Sequence, residues 1–164
     1  MTRAIQDLIQ ALREELQSYG EMLARLDQQQ ELVMRRAPDD LLQATAGIET
    51  QSRAIIEARR VRADGQRAVA LALELEADAE FGEIVPKLPA DFRPLMTALV
   101  QENNELLVRV HQRSRQNHVL LCRSLELMSR LLGSLLPGSG TVYTEKGDVL
   151  GAFAPAKSSY QAIG

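Results

Sequence analysis

Residues 5–33, IQDLIQALREELQSYGEMLARLDQQQELV, decide the fold of this chain. Apolar residues recur at Ile5, Ile9, Leu12, Leu16, Tyr19, Leu23 and Leu26, and the register runs on through Gln30 to Val33. Alternating steps of four and three are the period of a helix that buries one stripe along a partner helix. Leu8 and Met22 flank this stripe and widen it, so the spacing predicts a helix that faces more than one neighbour, as in a bundle. Arg35 and Arg36 suit the negative C-terminal end of the helix dipole. Pro38 then disfavours helical geometry at Ala37, and Asp39 and Asp40 suit the first turn of a new helix, so a tight helical hairpin is expected.

Downstream, a second helix is expected over about 39–64, on the register Leu41, Thr45, Ile48, Ser52, Ile55, Arg59 and Arg62, which loses its leucines beyond Ile56. Five arginines between Arg53 and Arg67 meet only Glu57 and Asp64, whereas Glu74, Glu76, Asp78, Glu80 and Glu83 form a run with no base inside it. The two runs are expected to screen each other across a turn near Asp64-Gly65. Leu71, Leu73 and Leu75 alternate with period two, but Ala, Leu and Glu are strong helix formers, and a short helix is expected over 68–80. Phe81 to Ala90, with Gly82, Pro86 and Pro89, reads as an irregular connector. The longest helix is expected over about 91–133, with Pro94 in its first turn and Gly133 as its C-cap. Its register is Phe92, Met96, Leu99, Asn103, Leu106, Val110, Arg113, Asn117, Leu120, Ser124, Leu127 and Leu131; the polar Asn103, Arg113 and Asn117 suit the fixing of register.

Composition agrees with a helical reading. Of 164 residues, 45% are apolar and 25% charged, but 4% are aromatic and none is Trp, too few for the aromatic-rich strands of most sandwiches and barrels. Residues 133–164 hold six of the ten glycines and the aromatics Tyr143, Phe153 and Tyr160. They read as a flexible Gly-rich tail over 137–164, although TVYTEKGDVL also fits a small hairpin around Glu145-Lys146-Gly147. The expected fold is therefore all-α: an elongated antiparallel helical bundle or coiled coil over 1–136, with helices near 2–36, 39–64, 68–80 and 91–133 and a mobile C-terminal tail.

Several function classes recede on charge and chemistry. Nineteen basic against 22 acidic residues give a net charge of -3, without the basic footprint that drives nucleic-acid binding. The N-terminus has no apolar core of a signal peptide and the chain no apolar run of membrane-spanning length, so a cytoplasmic protein without direct membrane insertion is expected. Cys122, among leucines, reads as a buried reduced thiol. His111 and His118 lie seven apart, about 10 Å at the helical rise of about 1.5 Å per residue, too far to share one metal ion. His118 and Cys122 have ligand spacing but no evident third ligand, and neither a phosphate loop nor a nucleophile elbow is present. No enzyme, no metal and no cofactor are expected. Binding through apolar helix faces remains, with a structural coiled coil that closes its seams in a homo-oligomer, such as a homodimer, as the alternative.

Three segments carry a resemblance. LIQALREELQSYGEMLARL opens a hairpin whose second helix ends near Arg59-Arg60, ALVQENNELLVRV begins the long helix, and SLLPGSGTVYTEKGDVLG follows it. In order and spacing these resemble the FlgN family of flagellar export chaperones, over about residues 5 to 150. The resemblance implies a cytosolic helical protein that binds the hook-filament junction proteins FlgK and FlgL, shields their aggregation-prone terminal helices and delivers them to the export gate protein FlhA. It implies a client site on the long helix, at Leu106, Val110, Leu120, Leu121, Leu125 and Leu132, and a gate contact at Tyr143. A lone aromatic in a Gly-rich segment also suits an anchor for a partner's pocket.

Overall fold

The computed structural model of the protein describes residues 1–135. They form α1 (Thr2–Arg35), α2 (Pro38–Ala72), α3 (Phe81–Lys87) and α4 (Arg93–Leu135), and no strand occurs among the described residues. The expected all-α class with a long C-terminal helix is the one adopted. The expected tail over 137–164, its alternative hairpin and Tyr143 lie outside the described residues. The chain divides into two units, Met1–Ser124 and Leu125–Gly164.

Within the first unit α1 is the central element. Its buried positions are Ile5, Leu8, Ile9, Leu12, Glu15, Tyr19, Met22, Leu26 and Gln29, together with Ala11. The expected stripe shares Ile5, Ile9, Leu12, Tyr19 and Leu26 with this set, but its alternate members Leu16, Leu23 and Gln30 are only half-buried. Leu8, Glu15, Met22 and Gln29, one residue earlier each time, carry the deeper contact. Both rows count: a stripe three positions wide per heptad is what a helix needs to serve two neighbours on adjacent sides.

The hairpin closes as expected. Arg36 takes the left-handed conformation at φ 56°, its N–H donates to Val33 O at 3.2 Å, and the Ala37 N–H donates to Leu32 O at 3.2 Å, which satisfies two terminal carbonyls of α1. Ala37 leaves the helical region ahead of Pro38, which opens α2 with Asp39 and Asp40 in its first turn. Side-chain contacts run antiparallel along the pair: Gln29 Nε2 donates to Thr45 Oγ1, Gln51 Nε2 to Ser18 O and Arg62 Nε to Glu15 Oε2.

Three expectations after Ile56 are corrected. First, α2 does not turn at Asp64-Gly65 but continues to Ala72. A Cβ built on Gly65 would lie 3.5 Å from Leu8 Cα, so this glycine is a place where α2 runs close over α1 and not a bend. Second, residues 68–80 are not one helix: 68–72 end α2, and the chain then turns through Glu74 at φ 57°. A helix there would stack Glu76 on Glu80 and Glu74 on Asp78 four apart, an unfavourable like-charge arrangement. The period-two leucines have a different use, since Leu73 and Leu75 both pack onto the core while Leu71 is exposed. Third, the connector holds a helix of its own, α3, in which Phe81, Ile84, Val85 and then Leu88 keep helical spacing. Pro86 removes only one N–H from it, the one that would reach Gly82.

The arginine run likewise pairs elsewhere than expected. Arg60 bridges Glu57 and Asp64 along its own helix, Arg67 reaches Asp64, and Arg62 crosses to Glu15. Hydrogen bonds from Arg60 hold the Glu57 carboxyl below its usual range. No ion pair joins the arginines to the run from Glu74 to Glu83 among the described residues.

The apolar core lies where α1 begins, α2 ends, α3 crosses and α4 begins, and it contains Ile5, Leu8, Leu12, Val69, Ile84, Leu88, Met96 and Leu99. A fully buried leucine of this kind contributes about 1.5–3 kcal/mol relative to an exposed one. Further along α1 the interior turns polar. Glu15 is buried, accepting from Tyr19 Oη at 2.8 Å and from Arg62 Nε at 3.0 Å. Burial, and then the carboxylate beside it, push the Tyr19 phenol well above its ordinary value of 10.0.

Candidate protein-binding face of the long helix

α4 changes character along its length. It starts at Arg93 with Pro94 in its first turn, and Arg93 Nε donates to Leu88 O at 2.7 Å. Met96 and Leu99 then join the apolar core. Beyond them the buried positions are two asparagines, Asn103 at 6% exposure and Asn117 at 2%. Asn103 Nδ2 donates to Leu12 O at 3.0 Å, and Asn117 Nδ2 donates to Leu26 O at 2.7 Å. Each bond spans the same 91 positions, so α4 runs parallel to α1 and the amides lock one register at two points. Between them Arg113 Nε stands 2.8 Å from Asp27 Oδ1 and a second guanidinium nitrogen donates to Gln30. All three polar residues that interrupt the expected seam thus hold α4 to α1.

The residues expected to bind a client fall into two groups. In the first unit, Leu106, Val110, Leu120 and Leu121 are half-buried. Leu106 lies over Gly20 of α1, its Cδ2 4.0 Å from where a Cβ on that glycine would be. Leu120 borders an open depression of about 550 Å³ whose lining also includes Gln30, Arg115, Gln116 and Val119.

In the second unit the described residues are the last turns of α4, 125–135, and every one of them is exposed. Leu125 is 64% exposed and Leu132 is 59% exposed. Leu127, Met128, Leu131 and Leu135, which the sequence reading did not single out for binding, are exposed as well. Leu125, Met128, Leu132 and Leu135 follow steps of three and four and line one stripe, flanked by Leu127 and Leu131. The charged residues here, Glu126 and Arg130, pair with each other at 2.6 Å. What remains is an apolar face with its charge neutralised, the kind of surface that receives another amphipathic helix. The missed residues had a legible signal in relative length, since a helix of 43 residues carries more seam than hairpin helices of 34 and 35 residues supply. Gly133, expected as the C-cap, lies inside this stretch of helix, with nothing within 4 Å of a Cβ built there.

Other chemistry is sparse on α4. Cys122 is exposed, not buried as expected, because it sits off the α1-facing row that Asn117, Leu120 and Ser124 continue. Its Sγ lies 3.7 Å from His118 Nε2, and no third ligand joins them: no group of three metal-ligating side chains occurs among the described residues. No described helix is long and apolar enough to cross a membrane.

The sequence profile of the family described as "FlgN protein" matches residues 1–150. The chain belongs to the FlgN family. No curated protein and no solved structure matches it. FlgN proteins are flagellar export chaperones, a non-enzymatic role that accords with a surface for binding flagellar proteins. The match spans all four helices and reaches past Leu135, so the FlgN assignment covers the bundle and both groups of leucines.

Proposed function

We propose that this protein is a cytoplasmic type III export chaperone that binds the hook-filament junction proteins FlgK and FlgL, prevents their premature aggregation and delivers them to the export gate protein FlhA. The supporting observation is the exposed, charge-neutral leucine stripe at the end of α4 in a chain of the FlgN family. Leu125 and Leu132 lead the client contact, with Leu106, Val110, Leu120 and Leu121 as its further members, and Tyr143 makes the gate contact. No catalytic step is involved. The client would lay an amphipathic helix along the stripe, burying apolar area that each free protein leaves in water.

Titration of purified FlgK and FlgL into the full chain tests this. Burying one leucine contributes about 1.5–3 kcal/mol, so replacing Leu125 and Leu132 together by serine is expected to weaken binding at least tenfold without moving the thermal midpoint. Tyr143→Ala is expected to leave client affinity unchanged and weaken FlhA binding. Unaltered client affinity in the double variant would overturn the assignment of the site. A chain that sediments as a closed dimer and ignores FlgK and FlgL would point instead to a structural coiled coil whose stripe is covered by a second copy.

A further inference from the structure

Residues 149–156, VLGAFAPA, are the longest run in the chain without a polar side chain. The family profile ends at residue 150, so most of this run lies beyond the FlgN pattern and belongs to this chain in particular. It falls in the same unit as the leucine stripe of α4, Leu125–Gly164. The run lies outside the described residues, whereas the stripe is described and bare: Leu125 is 64%, Met128 60%, Leu132 59% and Leu135 74% exposed. Each of these apolar surfaces is unfavourable in water by itself, and each is a suitable cover for the other.

We propose that residues 149–156 fold back reversibly onto the leucine stripe of their own chain and compete there with the client helix. The length fits. From Leu125 to Leu135 the stripe is about 15 Å long at about 1.5 Å per residue. Thirteen residues, 136–148, join it to Val149 and reach about 45 Å when extended. Pro137-Gly138, a pair suited to turns, stands directly after Leu136, where the chain has to reverse. The chemistry fits as well. Val149, Leu150 and Phe153 bring large apolar side chains, and Glu126 pairs with Arg130 at 2.6 Å, so no unpaired charge within the stripe opposes them. Tethering favours this occupant over a second copy, because a joined segment meets its site at an effective concentration of the order of mM. A client binds only the open chains, so a stripe covered in about three chains of four has about fourfold weaker apparent affinity. The competition rests on the client site proposed above; the docking itself does not.

Cys122 is the chain's single cysteine, exposed and three residues before Leu125, so a nitroxide placed on it reports on what lies near the stripe. In the isotopically labelled full chain it is expected to broaden the nuclear magnetic resonance signals of Val149, Leu150 and Phe153. The broadening should be relieved when Leu125 and Leu132 are both replaced by serine. No broadening in the parent chain, or equal broadening in the double serine variant, would overturn the docking. Broadening seen only when spin-labelled and isotope-labelled copies are mixed would overturn it too, in favour of a second copy. These measurements use no client. Competition is read separately, with Val149, Leu150 and Phe153 replaced together by serine in the full chain. That variant is expected to bind purified FlgK about fourfold more tightly than the parent, and unchanged or weaker binding would overturn the competition. If neither chain binds FlgK or FlgL, the client reading falls, while the broadening still decides whether the stripe is covered by its own tail.

Discussion

Met96 and Leu131 belong to the same helix and the same four-three register, yet Met96 is wholly buried and Leu131 is 61% exposed. Between them stand Asn103 and Asn117, buried but polar. Periodicity therefore identifies the face that a helix offers, and the presence of a neighbour decides whether that face becomes core, clamp or open surface. In α4 one continuous pattern does all three.

The largest test of this contrast is a pair of truncations. Met96→Ala is expected to lower unfolding free energy by about 2–5 kcal/mol, the range for emptying a packed core site. Leu131→Ala is expected to change it by no more than about 0.5 kcal/mol, as for a surface position. Urea denaturation measures both, and a similar loss in the two variants would show that the end of α4 is covered in the free protein. A smaller effect is expected in the middle of the helix: Asn117→Ala removes the bonds to Leu26 O and Gln29 Oε1 and is expected to cost about 1–3 kcal/mol.

The smallest effect concerns α1, where the contrast between apolar and polar interior recurs. Tyr19→Phe removes one hydrogen bond to Glu15 and is expected to cost about 0.5–1.5 kcal/mol at neutral pH. The Tyr19 phenol holds its proton more tightly in the folded chain than in the unfolded one. Its contribution is therefore fully present below the unfolded value, about 10, and is lost as pH rises beyond it. Stability of the parent chain measured from pH 9 to 11 should fall more steeply than that of Tyr19→Phe. Parallel curves would show that the phenol titrates alike in both states.

Much of this arrangement was legible in the residues. The α1 stripe, the break at Ala37-Pro38, Pro94 in the first turn of α4 and the register role of Asn103 and Asn117 all follow from spacing and local stereochemistry. Four features did not follow. Gly65 has the composition of a turn, and only the approach of α2 to Leu8 explains it. The helical spacing of Phe81, Ile84, Val85 and Leu88 was masked by Gly82 and Pro86, whose breaking tendency a short helix packed on the core overrides. The arginines found partners along α2 and on Glu15, nearer than the acidic run. At the candidate site, Leu127 and Leu131 continue the four-three register of α4, and a one-dimensional pattern carries no information on where the partner helix stops.

The asparagine clamps have one more property. Both grip main-chain oxygens of α1, at Leu12 and Leu26, and every residue of a helix supplies such an oxygen whatever its side chain. At these two points the alignment of α1 with α4 is thus written on α4 alone. The side chains at positions 12 and 26 answer only to packing, and substitutions there can accumulate among descendants of this chain without a matching change at 103 or 117. Paired side chains tie the two helices to each other's history at Asp27, Gln29 and Gln30, whereas at Leu12 and Leu26 α1 is free to drift while its alignment is kept.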